Sequence, residues 1–303
     1  MIMEDAAFDP SASYDPAACS YCGCRDYSTV VSGPTVPIIR CTQCGVMRQG
    51  WVSESVKGSQ IFVDYAGGLE RFRRQKAEKE AAQKGDFLRI SDRLEQLLPD
   101  KGRLLEIGCA MGTTLNAFRE KGWQVQGVEP EKYSAEIARS EYGLEVVSVP
   151  FQEAGLPKES FDAILLLHVI EHVCDPFKAL CDIRTLVRPG GYLVLETPRY
   201  DTLTFHILRG RERSVIHDHL HYFTRKSMVV MCRDAGFEVS RLESVGRTVT
   251  LDRLSFYLTK LLRSQRAMKA ITRLSDFLHL NSIRVHINLH DMMRLYLRKP
   301  EPH

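Results

Sequence analysis

Four cysteines near the beginning of the chain have the spacing of a zinc site. They form two pairs, Cys19-Ser-Tyr-Cys22 and Cys41-Thr-Gln-Cys44, with 18 residues between Cys22 and Cys41. Two residues between thiolates let one tight turn direct both sulfurs at a metal, and a glycine follows each pair. A shell of four thiolates leaves no position for a substrate, so we predict a structural zinc bound by all four. The alternative is that these four cysteines are buried or redox-active and bind no metal. Cys24 is a fifth thiol in this segment, and we do not expect it to be a zinc ligand.

A glycine-containing loop with acidic residues on both sides points to a nucleoside cofactor. The loop reads Glu106-Ile-Gly108-Cys-Ala110-Met-Gly112. The loop does not match the dinucleotide-binding motif G-x-G-x-x-G, because its second and third glycine positions are occupied by other residues. The Glu106 carboxylate would also repel the pyrophosphate of a dinucleotide. That carboxylate would suit a cofactor carrying an ammonium and a sulfonium. Glu129 follows 23 positions after Glu106, where an acid can accept hydrogen bonds from both ribose hydroxyls.

Alternating strands and helices must position this loop. Short apolar runs predict strands over 103–107, 124–128, 144–149, 161–167 and 191–196 and a last strand over about 286–298, and amphipathic runs predict helices over 113–121, 131–142, 175–187 and 224–235. This alternation is typical of an α/β fold with a parallel, doubly wound sheet, which binds ligands at the carboxyl ends of its strands. Between the cysteine pairs, β-branched runs around Gly33-Pro34 predict a hairpin.

The sequence over roughly residues 85–245 resembles the class I S-adenosylmethionine-dependent methyltransferases. The segments that carry the resemblance are LLEIGCAMGTTL, GVEP, FDAILLLHVIEHVCDP, LVRPGGYLVLETP and DHLHYFT. It implies a Rossmann-like sheet that binds S-adenosylmethionine, with the methionine part on the loop over residues 108–112 and the ribose on Glu129. The other cofactor contacts that it implies are Glu106, Gly108, Ala110, Gly112, Pro130, Phe151, Gln152 and His168. The segment Pro150-Phe151-Gln152 would contact adenine, and Glu153 would be the acid that many members have there. A cysteine ribbon ahead of such a core resembles a bacterial subgroup that methylates oxygen or carbon atoms of sugars, surface glycans and natural products.

Histidines after the fourth and fifth strands are candidates for a catalytic base. If the acceptor is a hydroxyl, its proton must leave as the new bond forms, and neutral imidazole is the natural base near pH 7. The candidates are His168, His172, His217, His219 and His221. We favour His219 as the base, with His172 as the second choice. The alternative for the HDHLH cluster is loop histidines that bind backbone groups.

The segment His168-Val-Ile-Glu171-His172 could also bind a metal. On a helical turn, positions i, i+3 and i+4 share one face, so all three side chains could ligate one ion. The same location in ubiquinone-type O-methyltransferases bears a metal-binding acid, acid, histidine set, which this segment resembles with His168 in place of the first acid. The alternative is that Glu171 and His172 shape the acceptor pocket without a metal.

Composition and charge restrict the classes of partner. The chain has 303 residues, 44% of them hydrophobic and 26% charged, with a net charge of +3. A core is expected at this length, and no global charge field attracts nucleic acid. We find no run of about 18 apolar residues, and the first residues lack the basic and apolar regions of a signal peptide. We therefore expect a cytoplasmic protein without a transmembrane span.

Three parts are expected along the chain. They are a zinc ribbon over residues 1–50, a linker or helix over 51–84, and a methyltransferase domain over 85–303 with a helical insertion at about 251–284. The insertion carries seven basic and two acidic residues. Such a cationic amphipathic cover suits a phosphorylated or lipid-linked acceptor, or a peripheral membrane contact. The alternative is a packing helix or a homodimer contact with solvated charges.

Three classes of function compete. The first is a small-molecule or glycan O-methyltransferase whose acceptor the sequence does not reveal. The second is a ribosomal RNA base methyltransferase that binds RNA through the ribbon, but LLHVIEHV lacks the Asn/Asp-Pro-Pro-Tyr signature of amino-group methylation on bases, and the near-neutral charge gives little help in binding RNA. The third is a cofactor-binding regulatory protein with a degenerate site. Ala110 favours that class, whereas Glu106 and Glu129 argue against it.

Overall fold

The computed structural model describes residues 17–32, 36–50, 87–212, 214–250 and 284–302. The predicted linker over 51–84 lies outside the described residues. So does the predicted insertion at about 251–284, apart from Arg284. The account below concerns the described ranges only. In these ranges, no helix combines the length and the apolar composition needed to cross a membrane.

The cysteine-rich segment folds into three antiparallel strands. These strands are β1 (Tyr27–Val31), β2 (Ile38–Cys41) and β3 (Met47–Gln49). The predicted hairpin is formed by β1 and β2, which pair with Tyr27 opposite Cys41, and β3 pairs with the other edge of β2. β-branched and aliphatic side chains such as Val31 and Ile38 are buried on one face of this small sheet.

The rest of the described chain builds a central sheet covered by helices. Its strands and helices are β4 (Arg103–Ile107), β5 (Gln124–Val128), β6 (Val146–Val147), β7 (Phe161–Leu167), β8 (Val187–Pro198), β9 (His221–Tyr222), β10 (Glu238–Ser244), β11 (Arg247–Thr250), β12 (Arg284–Ile287), β13 (Met292–Arg298), α1 (87–97), α2 (Thr113–Glu120), α3 (Lys132–Tyr142), α4 (Pro176–Leu186), α5 (Leu203–Leu208) and α6 (Arg225–Asp234). The seven-stranded sheet has the order β10-β13-β8-β7-β4-β5-β6. Its five adjacent strands from β8 to β6 run parallel, whereas β13 pairs antiparallel with both β8 and β10 and is the one strand of this sheet that runs in the opposite direction. The predicted doubly wound α/β sheet is confirmed, and the chain reverses its direction of winding between β4 and β7, where such sheets bind ligands.

Local sequence explains where several helices begin. The Glu131 carboxylate accepts hydrogen bonds from the Tyr133 and Ser134 amides and caps α3, and Asp175 caps α4 ahead of a proline. Thr224 and Ser227 form a reciprocal capping box at the start of α6. Two hydrophobic clusters then cover the two faces of the sheet, one with side chains of α1, α2 and α3, the other with side chains of α4, α6 and the ribbon.

Three predicted strands differ from the observed ones. The strand expected over 144–149 is only Val146–Val147, and the strand expected over 191–196 extends over Val187–Pro198. The single strand expected over about 286–298 is broken into β12 and β13. The reason for the break is local: the Asn288 side chain accepts a hydrogen bond from the amide of His290, which has a left-handed φ of 57°.

The strand β9 connects the two parts of the molecule. It pairs with β3, with Met47 opposite Tyr222 and Arg48 opposite His221, so the ribbon sheet has four strands in the order β1-β2-β3-β9. The ribbon also packs on helix α4 of the core, where the Tyr21 ring contacts the Phe177 ring edge-on, with the ring centroids 5.4 Å apart. The ribbon is therefore joined to the core by main-chain hydrogen bonds as well as by side-chain packing.

Candidate functional site

The four cysteines of the predicted zinc site come together in the structure. One sulfur from each lies within 4.8 Å of the others, and the Cys19–Cys44 and Cys22–Cys41 pairs are each 3.5 Å apart. A tetrahedral zinc with bonds of about 2.3 Å separates its sulfurs by about 3.8 Å, so the donor set fits. The Cys44 thiol hydrogen-bonds to Cys19 and lowers the pKa of Cys19 to about 5. Cys24 is not in this group, and its sulfur accepts a hydrogen bond from the Asp26 amide.

The two cysteine turns have the same backbone geometry. The Gly23 amide donates to the Cys19 carbonyl over 2.8 Å, and the Gly45 amide donates to the Cys41 carbonyl over 3.0 Å. Both glycines are left-handed, with φ of 71° and 77°. A residue with a Cβ pays a conformational penalty there, which explains why glycine follows each cysteine pair.

The loop between β4 and α2 requires small residues. Gly108, Ala110 and Gly112 all have positive φ, at 76°, 47° and 77°. A Cβ on Gly108 would lie 2.5 Å from the Val169 side chain, and a Cβ on Gly112 would lie 2.6 Å from Leu144. The loop therefore packs its backbone directly against these two neighbouring segments. A loop of small residues is also what close approach to a cofactor requires.

Glu129 is fixed at the end of β5 beside this loop. One carboxylate oxygen accepts a hydrogen bond from the Ala110 amide over 2.8 Å, and the other accepts from the Glu131 amide over 2.9 Å. A carboxylate oxygen can accept more than one hydrogen bond, so these two contacts are compatible with a ribose hydroxyl as a further partner. Pro130 follows and is half-buried. The geometry suits the predicted ribose contact, and Glu129 holds the loop in place at the same time.

Glu106 is buried behind the loop, with 3% of its surface exposed. Its Oε2 atom has no hydrogen-bond partner among the described residues. Burial raises the pKa of Glu106 to about 8, and the nearby charge of Glu129 adds to the shift. A cationic ligand group beside it would favour the ionised carboxylate. The residues present therefore fit a cofactor that carries an ammonium, as S-adenosylmethionine does.

The residues predicted to contact adenine lie after β6. Phe151, Gln152 and Glu153 form a short 3-10 turn, in which the Phe151 ring is buried and Gln152 is exposed. Phe151 belongs to the hydrophobic cluster that contains β4 and β5 side chains. The structure thus puts an apolar ring and a polar side chain next to each other in this segment, and their contact with adenine stays a prediction.

His168 lies between two carboxylates at the end of β7. Its Nδ1 is 3.6 Å from Glu171, its Nε2 is 3.2 Å from Glu196, and Glu196 also binds the buried Arg294 guanidinium at 2.6 Å. Burial alone would lower the pKa of His168, but hydrogen bonds to both carboxylates outweigh it and raise the pKa to about 9. Both ring nitrogens therefore carry protons near pH 7, which leaves neither available to accept one.

Glu171, His172 and His219 form a second group. One donor atom of each lies within 4.8 Å of the others. Glu171 is buried, and its Oε2 accepts a hydrogen bond from Thr197 over 3.0 Å, whereas its Oε1 has no hydrogen-bond partner among the described residues. Burial raises the pKa of this carboxyl, but the facing His168 outweighs burial and lowers it, so Glu171 is ionised.

Hydrogen bonds define which nitrogen of each histidine is protonated. His172 Nδ1 lies 2.7 Å from the Asp218 carbonyl, which can only accept, so Nδ1 carries the proton. The Tyr200 hydroxyl donates to the Ser214 carbonyl and is 3.1 Å from His219 Nδ1, which therefore donates to the tyrosine oxygen. In the neutral form of each ring, Nε2 is the nitrogen that retains its lone pair. Burial lowers the pKa of His219 to about 4, so this ring is neutral at pH 7.

The group can act in two ways. Two imidazole nitrogens and one carboxylate are a donor set that divalent transition metals accept, with His219 where the sequence suggested His168. The hydrogen bonds to the two Nδ1 atoms are also the outer contacts that orient metal-bound histidines. Without a metal, the same neutral His219 beside an ionised carboxylate is a general base.

The two other histidines of the cluster lie elsewhere. The His221 ring is buried against Phe223, with its Nε2 3.4 Å from the Ser20 hydroxyl of the ribbon, and His217 is exposed. Sequence analysis missed four side chains that hold the site: Glu196, Thr197, Tyr200 and Arg294. Only Glu196 left a signal, since an acid at the end of an apolar strand is unusual in a buried position.

Comparisons with known proteins agree with this geometry. A family model described as a methyltransferase domain matches residues 74–242. The ubiquinone biosynthesis O-methyltransferase of Bordetella avium is 26% identical over 157 residues, which is 47% of this chain and 65% of that protein. The one of Alkalilimnicola ehrlichii is 31% identical over 102 residues, 31% of this chain and 41% of that protein. The chain thus spans less than two thirds of the length of these curated relatives.

A solved structure shares the fold. A chain in the complex between the Haloferax volcanii Trm112 methyltransferase activator and its methyltransferase superposes with a TM-score of 0.56 at 15% identity, covering 78% of this chain and 95% of that one. At this identity the likeness concerns the fold alone.

Proposed function

The chain belongs to the methyltransferase-domain family and has the class I S-adenosylmethionine-dependent methyltransferase fold, and on this premise we propose that it transfers a methyl group to a hydroxyl oxygen. The observation that carries the proposal is His219. Its Nδ1–H is bound to Tyr200, its Nε2 is unprotonated, and Glu171 lies beside it. The relatives that match are named O-methyltransferases, which supports oxygen as the accepting atom.

Different residues bind the cofactor and accept the proton of the hydroxyl. Bound S-adenosylmethionine supplies a methyl carbon activated by a sulfonium. The loop over residues 108–112, Glu106 and Glu129 would hold the cofactor at the carboxyl ends of the strands, next to the side chains that follow β7 and β8. His219 Nε2 would take the proton that the acceptor hydroxyl loses when its oxygen is methylated. The Glu171 carboxylate stabilises the imidazolium that forms, and Tyr200 keeps the ring in its orientation.

The acceptor class comes from the sequence. We propose a sugar, surface glycan or natural-product hydroxyl, in phosphorylated or lipid-linked form if the cationic segment at about 251–284 covers the site. Zinc at the four cysteines is proposed as structural, because four thiolates would fill the coordination sphere of one tetrahedral ion and leave no position for a substrate. The ribosomal RNA alternative rests on the ribbon alone, and β9 gives the ribbon a role within the fold instead.

A divalent metal is the alternative to a free base in the same site. Glu171, His172 and His219 would hold it, and it would supply a Lewis acid that lowers the pKa of a bound hydroxyl. Turnover that is lost on treatment with a chelator and recovered with a divalent transition metal such as Zn²⁺ would favour this version, provided that the cysteine-bound zinc is retained.

The test is single-turnover transfer of a labelled methyl group to a panel of catechols, hexoses and sugar phosphates. With any acceptor that is methylated, we expect His219→Ala to lower the rate about 10²–10⁴-fold while the affinity for S-adenosylhomocysteine is unchanged. The exposed His206 on α5 provides the control, and His206→Ala should retain the parental rate. Parental turnover by His219→Ala would contradict the assignment of the base.

A further inference from the structure

The loop that carries His219 is bound to the ribbon by one buried side chain. Gln49, at the end of β3, is 5% exposed. Its backbone amide donates to the Leu220 carbonyl over 2.9 Å. Its side-chain Nε2 lies 2.6 Å from the His217 carbonyl and 2.8 Å from the His219 carbonyl. A side-chain amide has two N–H groups, so both carbonyls can be satisfied at once.

The opposite side of this loop is bound to the core. The Leu220 amide donates to the Glu171 carbonyl over 2.8 Å, and His172 Nδ1 donates to the Asp218 carbonyl over 2.7 Å. The loop therefore lies between β3 of the ribbon and the turn that carries Glu171 and His172. Because both sides are hydrogen-bonded, the loop backbone can move only if one of these sets of bonds breaks.

The ring of His219 depends on the ribbon as well. Its partner Tyr200 is buried, and the Tyr200 ring meets the Tyr222 ring at 4.9 Å. Both tyrosines belong to a hydrophobic cluster with ribbon side chains that include Ile38 and Met47, each fully buried. The ribbon thus supports the backbone of His219 through Gln49 and the orientation of its ring through Tyr200.

We propose that the cysteine ribbon is a working part of the acceptor site, and that Gln49 is a positioning residue that holds His219 in register with Glu171 and His172. The inference rests on the proposed function of His219. The cofactor site does not share this dependence, because the loop over residues 108–112 and Glu129 are held by β4, β5 and the hydrogen bonds within that part. Disturbing Gln49 should therefore uncouple the acceptor site from cofactor binding.

The test uses the full-length zinc-loaded protein in complex with S-adenosylhomocysteine and does not need an acceptor. Gln49→Met keeps the length of the side chain but removes both donors, so the carbonyls of His217 and His219 lose this partner. We expect ¹⁵N spectra of labelled histidine rings, assigned with His219→Ala, to show loss of the Nδ1–H form of His219. The Leu220 amide should exchange with solvent about tenfold faster, as for one lost hydrogen bond, while zinc content and cofactor-analogue affinity stay at the parental values.

Gln96→Met is the matched control, because Gln96 lies exposed on α1, where it accepts a hydrogen bond from Arg93. It should leave the His219 signals unchanged. If the Nδ1–H signal of His219 is unchanged in Gln49→Met, the positioning role of Gln49 is overturned, but the assignment of His219 as the base is not. If His219 of the parent protein is instead protonated at Nε2, the assignment of His219 as the base is contradicted. If Gln49→Met does not fold, Gln49→Asn retains the amide on a shorter arm. Joint loss of zinc, cofactor affinity and His219 signals in both variants would overturn the proposal, since Gln49 would then support the whole fold.

Discussion

At the scale of single residues, burial and neighbouring charge shift the pKa of three histidines in different directions. His168 faces Glu171 and Glu196 and is held as an imidazolium, with its pKa raised to about 9. His219 is buried and neutral, with its pKa lowered to about 4. His221 is buried against the ribbon, and burial lowers its pKa to about 3. Near pH 7 the first is a cation that helps to keep Glu171 ionised, and the second is the better proton acceptor.

Glu106 predicts how stability varies with pH. Its pKa is about 8 in the folded protein against an ordinary value of 4.5. The folded protein therefore holds this proton more tightly than the unfolded chain, and the free energy of unfolding falls as the pH rises from 4.5 to 8. Glu106→Gln stays neutral, and in the absence of cofactor it should be more stable than the parent at pH 8 by about 1–3 kcal/mol, with a smaller difference at pH 5.5. Urea unfolding at the two pH values measures this. An equal difference at both would contradict the raised pKa, and Glu120→Gln, exposed on α2, serves as the control.

Glu129 predicts a loss of cofactor affinity. Glu129→Ala removes the expected acceptor of the ribose hydroxyls and the partner of the Ala110 amide, so binding of S-adenosylhomocysteine should weaken by about 1–3 kcal/mol. Calorimetry measures it. Glu129→Gln keeps one acceptor oxygen and should lie between the parent and Glu129→Ala. Parental affinity in Glu129→Ala would mean that the cofactor lies elsewhere.

At the scale of elements, the ribbon and the core share structure. The strand β9 lies in the ribbon sheet although it follows the core strand β8 in sequence, and the next residues cap α6. Cys19, Cys41 and Val46 of the ribbon belong to the same hydrophobic cluster as Met228 and Met231 of α6. The ribbon therefore packs as part of the molecule rather than as a separate appendage.

The ribbon predicts a metal stoichiometry. Protein purified without chelator should contain one zinc per chain, and Cys41→Ser together with Cys44→Ser should abolish it, because serine does not supply a thiolate. Amide exchange over residues 214–222 should then accelerate, while S-adenosylhomocysteine still binds. Cys24→Ser, outside the group of four, is the control and should retain the zinc. Unchanged zinc in the double variant would contradict the site.

At the scale of the molecule, the cofactor and acceptor sites both lie at the carboxyl ends of the parallel strands of the seven-stranded sheet. The cofactor loop follows β4, Glu129 ends β5, and the residues around Glu171 and Glu196 come from the ends of β7 and β8. Parallel strands place these four ends side by side, so residues far apart in sequence meet at the crevice between β4 and β7.

This arrangement predicts that a bound cofactor analogue stabilises the fold as a whole. At a hundred times its Kd, S-adenosylhomocysteine should raise the free energy of unfolding by about 2.7 kcal/mol. Urea unfolding followed by circular dichroism measures the change. Methionine alone, at the same concentration, should give a much smaller increase because it lacks the ribose and adenine. The absence of any increase with the analogue would contradict binding to the native state.

The sequence by itself determined the features that depend on neighbours within one or two turns of chain. The spacing within each cysteine pair, the glycines of the cofactor loop and the caps at Thr224 and Gly143 are local, so their geometry follows from residue type. Hydrophobic patterning likewise predicted the α/β sheet, since a strand as apolar as Phe161–Leu167 must be buried on both faces.

Only the tertiary structure decided which side chains meet. Nothing in the spacing along the chain shows that Arg294 would neutralise Glu196, that Tyr200 would orient His219, or that Gln49 would bind a loop about 170 positions away. These contacts depend on strand order and on how two sheets pack. The candidate histidines have the same intrinsic pKa in the sequence, and burial and neighbouring charge in the folded protein separate His168 from His219 and His221.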